Sequence, residues 1–163
     1  VGAVGAKLYY PDDTVQHAGV IIGMGGIAAN SHAGIPRSSR GYAARLKIVQ
    51  NFSAVTGACL MMRREVFKKV GGFDTRFSDA FYDIDLCLKI RENGYLIVFT
   101  PYAELYYREL LSSEDDLARH RERNIFIKEE ELMHKKWDHL IKAGDPYYNP
   151  NLTLSKPDFS IGI

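Results

Sequence analysis

The stretch "DAFYDIDLCLKI", residues 79 to 90, sets three acidic side chains among aromatic and aliphatic neighbours. A carboxylate at the N-terminus of an apolar helix is kept ionised by the local dipole, and can then take a proton from a hydroxyl as a general base. Asp83 suits that work, provided it faces a cleft. Asp85 lies two positions on, nearly on the opposite side of a helix, so the pair does not serve one water or one metal in the ordinary way. One of them works while the other supports it. The bland alternative is that both simply favour the first turn of a helix.

Other chemistry-bearing residues are less pointed. "TGA" at Thr56, Gly57 and Ala58 puts small residues and a hydroxyl just before an apolar run, which suits close approach of a ligand or a plain turn. His17, His32, His120, His134 and His139 are scattered. Only His134 and His139 lie close on a helix, and five apart without the flanking carboxylate of a zinc motif they read as polar positions. "GMGGIAAN" lacks the spacing and the downstream helix of a dinucleotide site. Tyr106 with Tyr107, and Tyr147 with Tyr148, could stack on a sugar ring or pack at a surface.

The elements that must position these residues can be read from the pattern. Residues 4 to 10 read as a strand, closed by "PDD" and followed by a second strand at "TVQHAGVIIG", a hairpin. Residues 24 to 42 read as a long loop, open to disorder or acceptor contact. "GACLMM" is an apolar strand and "REVFKKV" a short helix ended by Gly71 and Gly72. Ile84, Cys87, Leu88 and Arg91 repeat at helical spacing, Leu86 and Ile90 widen the face, and Gly94 ends a helix over about residues 82 to 93. "YLIVFTP" is a buried strand stopped by Pro101, which "AELYYREL" extends or follows as an edge. A long polar helix, capped by Ser113, carries one stripe of Ile125, Phe126, Leu132, Met133, Trp137 and Leu140. The Pro-, Asn- and Tyr-rich tail wraps the surface as an ordered extension.

Composition bounds these readings. The 163 residues are 46% hydrophobic and 12% aromatic, enough for one core. With 21 basic and 20 acidic residues, no nucleic-acid surface is expected. Cys59 and Cys87 sit in apolar settings and read as reduced core thiols of a cytosolic protein. No apolar run is long enough to span a membrane, and peripheral contact at its inner face stays open. The opening "VGAVGAKLYYPDD" starts directly in a strand, which suggests a chain cut from a larger fold whose earlier strands lie elsewhere.

"NFSAVTGACLMMRREVFKKVGGFDTRF", then "FYDIDLCLKIRENGYLIVFTPYAELYYRE", then "DPYYNPNLTL" resemble, in order, the C-terminal half of family-2 glycosyltransferases. They are most similar to the rhamnosyltransferase-like bacterial enzymes of polysaccharide and O-antigen assembly. The resemblance covers essentially the whole chain. It implies an α/β, partial GT-A fold: a mixed sheet flanked by helices, with a long C-terminal helix and extended tail. It further implies inverting transfer of a sugar from a nucleotide-diphosphate donor to a glycan acceptor hydroxyl, with Asp83 as the base. Thr56, Gly57 and Ala58 would line the sugar pocket, Tyr82 would neighbour it, and Asp85 would support the helix. A divalent cation, Mg or Mn, would neutralise the leaving diphosphate in the full-length enzyme.

Three departures qualify the resemblance. The nucleotide-binding half with its DxD motif is not in this chain, so the chain alone is expected to be inactive. Where relatives usually read His-His-Glu-Ser, this sequence has Tyr107, Arg108, Glu109 and Leu110. A phenol is a poor metal ligand at neutral pH, and Arg108 is a candidate for restoring positive charge. The Ser-Arg-Gly that often comes next is replaced by "SSE" at 112 to 114. A noncatalytic carbohydrate-binding or scaffold module of the same fold is therefore the rival reading. A phosphoryl or nucleotidyl transferase, which needs clustered carboxylates, ranks last. An unpaired sheet edge also leaves self-association open.

Overall fold

The computed structural model describes residues 1–108 and 116–162 and, over 116–122, the backbone alone. Its central strand is β1 (Ala3–Tyr9), buried at every position except the half-buried Val4. The next turn is held by Asp12, whose Oδ1 accepts from the Thr14 N–H and hydroxyl at 3.0 and 2.7 Å, the side-chain turn chemistry expected of Asp. It returns the chain as β2 (Val15–His17), antiparallel to the second half of β1. The hairpin is thus present, but its second strand is shorter than the sequence suggests. Gly19, at φ +98° and with the Phe52 ring filling the space a Cβ would need, breaks it. The chain then restarts as β3 (Val20–Ile22), which pairs with β4 (Ala28–Asn30) in a separate two-stranded sheet. The expected loop of residues 24 to 42 therefore contains a strand. Its apolar signal, "IAAN", is too short for periodicity to show.

β5 (Gln50–Phe52), β6 (Leu60–Met62) and β7 (Ile97–Tyr106) complete the main sheet. β7 lies parallel to β1, β5 antiparallel on its far side, and β6 antiparallel to the first half of β1. The product is a mixed α/β fold with a curled five-stranded sheet. Pro101 does not stop β7. It falls where β7 runs out of register with β1: Gly5 faces Phe99, yet Lys7 already faces Glu104. A residue without an N–H is tolerated where no ladder bond is required of it. Beyond the offset, the buried Lys7 ammonium lies 3.0 Å from Glu104 Oε1 and donates to the Leu46 carbonyl at 3.1 Å.

Helices α1 (Arg64–Lys69), α2 (Tyr82–Glu92) and α3 (Asp116–Ala143) accompany the sheet. Gly71 and Gly94 both take positive φ beyond the ends of α1 and α2, as C-terminal caps do. α2 is buried continuously from Ile84 to Leu88, so it is a core helix enclosed on most sides and not one with a single apolar face. One hydrophobic cluster gathers α2 with Val66, Ile97, Met133 and Trp137; a second gathers Tyr9, Phe52, Phe99 and tail residues. β3 alternates between the two, since Val20 and Ile22 join the first and Ile21 the second. The α3 stripe is only partly buried: Met133 and Trp137 are enclosed, but Ile125 and Phe126 are exposed. The Ser113 cap and the "SSE" segment lie outside the described residues. The tail docks through Phe159, whose ring lies 4.2 Å from His32, 5.0 Å from Tyr42 and 5.2 Å from Tyr148. Cys87 is buried, whereas Cys59 is only half-buried.

The α2–α3 interface contains a fully buried carboxylate. Asp85 Oδ1 lies 2.5 Å from Lys136 Nζ and accepts from Trp137 Nε1–H at 2.9 Å; Oδ2 lies 3.2 Å from Lys89 Nζ. Lys136 also reaches Asp74 at 2.8 Å. Hydrogen bonds from Arg76 first, and then from Lys136, hold the Asp74 carboxyl well below the usual range. Burial pulls the Lys136 ammonium down, and its bonds to Asp74 and Asp85 more than offset this. Removing one partner of such a pair leaves an uncompensated charge. The Lys136 side chain is a quarter exposed, and Lys136→Met is expected to cost about 3 kcal/mol, read by urea denaturation followed through Trp137, the single tryptophan. Adding Asp85→Asn to it recovers part of that loss.

Candidate active site

Asp83 sits in the first turn of α2, on a cleft of about 220 Å³. Asn30 and Thr56 supply the other polar walls; Ala28, Phe81 and Ile84 supply apolar ones. Asp83 Oδ2 accepts from the Gly57 N–H at 2.7 Å and Oδ1 from the Ile84 N–H at 2.8 Å. Each oxygen keeps a lone pair, because a carboxylate can accept about four hydrogen bonds. Among the described residues, no basic side chain pairs with Asp83. It is held by backbone alone, at the positive end of a helix.

The turn that holds it needs its small residues. A Cβ at Gly57 would lie 2.8 Å from the Tyr82 ring and 3.2 Å from Asp83 Cβ, so a larger residue has to displace Tyr82 or Asp83 to keep the N–H of residue 57 on the carboxylate. Thr56 Oγ1 caps the turn by accepting from the Ala58 N–H at 3.2 Å. Thr56 lines the cleft, Gly57 contributes its N–H, and Ala58 is exposed beyond them. Tyr82 stands behind the turn, edge-on to Phe73 at 5.7 Å. Burial first, then the charge of Asp83, pushes its phenol up. Asp85, on the other side of α2, is taken up in the ion pairs with Lys136 and Lys89.

His17 anchors this turn from below. It is fully buried; Nε2 accepts from the N–H groups of Gly19 and Thr56 at 3.2 and 3.3 Å, and Nδ1 lies 2.8 Å from Asn30 Oδ1. Two backbone donors at Nε2 assign the proton to Nδ1, which donates to Asn30. The Asn30 amide nitrogen is thereby left as a donor at the cleft. Nothing in the spacing of the histidines points to this role, since the bond spans β2, β4 and the turn before β6.

The remaining candidates do not line the cleft, although Tyr107 is near enough to Tyr82 for its charge to act on that phenol. Arg108 is exposed past the end of β7, and Tyr107 is half-buried with its N–H donating to the Tyr9 carbonyl at 2.7 Å. Tyr106 is bound to Arg37 and Asp13, and Tyr148 packs on Phe159. His134 pairs with Asp138 at 3.2 Å. Among the described residues there is no group of three or more His, Cys, Asp or Glu that could hold a metal ion. A larger cavity of about 650 Å³ lies between the end of α3 and the tail. It is mostly apolar, and its charged members are already engaged: Arg91 with Ser53, Asp145 with the N–H groups of Ile22 and Tyr147.

No family model matches this chain. It is 51% identical over 161 residues to the uncharacterized protein y4gI of Sinorhizobium fredii, covering 98% of this chain and 17% of that protein. It is 38% identical over 159 residues to the O-antigen biosynthesis protein RfbC of Myxococcus xanthus, covering 97% of this chain and 12% of that protein. Over 66 residues it is 38% identical to an N-acetylglucosaminyl-diphospho-decaprenol L-rhamnosyltransferase of Mycobacterium tuberculosis, covering 40% and 22% of the two chains. The chain thus spans under a quarter of the length of each of these relatives.

Burial of His17, and of His32 beside the docked Phe159, lowers each ring from 6.5 to about 4. Between those values the unfolded chain binds more protons than the folded one, so stability falls as pH drops through that window. Each neutral ring contributes about 3 kcal/mol that is fully present above pH 6.5 and lost on approaching pH 4. Urea midpoints are expected to fall steeply below neutrality, and His17→Gln should flatten about half of that slope.

Proposed function

We propose that this chain is the acceptor and base half of an inverting glycosyltransferase of the family-2, GT-A type, acting in bacterial polysaccharide or cell-surface glycan synthesis. The observation that carries the reading is Asp83: a carboxylate on a cleft, fixed by backbone N–H groups, free of any described cation, at the start of a core helix. The named relatives support it, since one is an O-antigen biosynthesis protein and another a rhamnosyltransferase.

In this reading Asp83 removes the proton of the acceptor hydroxyl as its oxygen forms a bond to the anomeric carbon of the donor. The bond from that carbon to the diphosphate breaks from the opposite side, and the leaving diphosphate keeps the electron pair. The configuration at the sugar is inverted. Thr56 and the amide nitrogen of Asn30 offer hydrogen bonds to sugar hydroxyls, with Phe81 and Ile84 as apolar walls. Gly57 and His17 fix the geometry on which the proton transfer depends. The described residues do not assemble a cation site, so no step here is drawn through a metal. Donor binding and any Mg or Mn belong to the nucleotide-binding half outside this chain, and Arg108 is a candidate contact toward the diphosphate. No described helix is long and apolar enough to cross a membrane. We place the reaction in the cytoplasm, with peripheral contact at the inner face of the membrane left open.

A noncatalytic sugar-binding module is the second reading, favoured by Tyr107 at the position where relatives usually carry His. One experiment separates the two. In the full-length protein, transfer from a panel of nucleotide-diphosphate sugars with Mn or Mg is expected to fall about 10²- to 10⁴-fold in Asp83→Asn, with donor binding retained. Sugar binding without turnover in the native protein would instead establish the module. Unchanged turnover in the variant would remove Asp83 from the mechanism.

A further inference from the structure

Ser78, Asp79 and Ala80 lead from Phe77 into Phe81, and their N–H groups converge on one side chain. Glu129, in the middle of α3, is 2% exposed. Its Oε1 accepts from the Ser78 N–H at 2.6 Å, the Ser78 hydroxyl at 3.0 Å and the Asp79 N–H at 3.1 Å; Oε2 accepts from the Ala80 N–H at 2.6 Å. One carboxylate thus takes every backbone donor of the segment.

The segment runs directly into the lip of the cleft. Ala80, Phe81 and Asp83 all line it. Phe81 holds φ 59°, ψ −1°, a left-handed conformation that a bulky residue keeps only where its surroundings impose it. Its ring rests on Phe126, one turn before Glu129 on α3, at a centroid distance of 5.2 Å. Its carbonyl accepts from the Asp85 N–H at 2.8 Å and so starts α2. α3 therefore grips the entry to α2 at Phe126 and Glu129, two turns away from the Lys136 and Trp137 contacts that already fasten the two helices together. The two grips are separate, with no partner residue in common. All the described hydrogen-bond partners of Glu129 lie in the segment that runs into the cleft lip, and Ala80 itself lines the cleft.

We propose that Glu129 is a positioning residue for Asp83: by drawing the amides of residues 78 to 80 onto α3, it holds Phe81 in its left-handed conformation and sets how the carboxylate of Asp83 meets the cleft. The rate readout of this proposal rests on the glycosyl-transfer reading; its structural readouts do not.

The test compares Glu129→Gln, Glu129→Asp and Ser78→Ala with the native full-length protein. In Glu129→Gln, hydrogen exchange in peptides covering residues 78 to 81 is expected to speed up about tenfold, with the α2 amides beyond Leu86 unchanged. The rate of carbodiimide labelling at Asp83 should change severalfold. Transfer should lose about ten- to hundredfold in kcat with donor KM little altered, and Glu129→Asp should restore part of it. Unchanged exchange, or faster exchange with unchanged Asp83 labelling, overturns the proposal. So does a loss confined to KM. If the native protein transfers no sugar from the panel, the glycosyl-transfer reading fails, and exchange and labelling still decide the role of Glu129. Ser78→Ala removes one donor without touching the carboxylate, and must show the same changes to a smaller degree should Glu129→Gln not fold.

Discussion

A carboxylate with no solvent exposure has to be met by cations and donors, and Asp85 imposes that condition on the helix that carries it. Lys136 and Trp137 meet it from α3 and Lys89 from the next turn of α2. This fixes more than the packing of two helices. It fixes the rotation of α2 about its axis, because only one orientation brings Asp85 to that pair. Asp83, two residues earlier and so about 200° away around the helix, is then turned from α3 toward the cleft. The opposed directions of the two acids come from helix geometry, and their different surroundings come from which of them is enclosed.

A second theme is that side-chain acceptors hold the loops around the cleft. His17 takes the N–H of Thr56, Asp83 that of Gly57, and Glu129 those of Ser78, Asp79 and Ala80. These stretches are too irregular for sheet or helix ladders to satisfy them, and buried N–H groups left alone are costly. Each acceptor comes from a different element, so the cleft is tied to β2, α2 and α3 at once. The fixed tautomer of His17 extends the tie to Asn30 and β4.

Local signals in the sequence were legible and long-range ones were not. The hairpin at "PDD", the glycines after α1 and α2, and the place of Asp83 in the first turn of a helix all rest on near neighbours. β4 was hidden in a Gly- and Ser-rich stretch because three residues carry no period. Pro101 looked like a strand end, since nothing local shows that its N–H falls in an offset where none is needed. Ile125 and Phe126 continue the α3 pattern but stay exposed, Phe126 covering only the Phe81 ring, because the core beneath α3 is concentrated at Met133 and Trp137. His17 and Glu129 are the sharpest cases. Their partners lie 39 and about 50 residues away, and only the assembled fold brings donor and acceptor together.

The parallel pairing of β1 with β7 bears on the order in which the molecule forms. Ala3 pairs with Ile97 and Tyr9 with Tyr106, so the middle of the sheet cannot close until the whole intervening segment has been made. Loop-closure entropy must be met before these pairs contribute, which places the chain among slow, non-local folders. Among the described strands the β1–β2 hairpin is made before β6, which then occupies the other half of that side of β1. Within the described sheet the edge of β1 that takes β7 is the last to be paired. The strand made last of these seven is therefore the one on which the pairing along that whole edge of β1 waits.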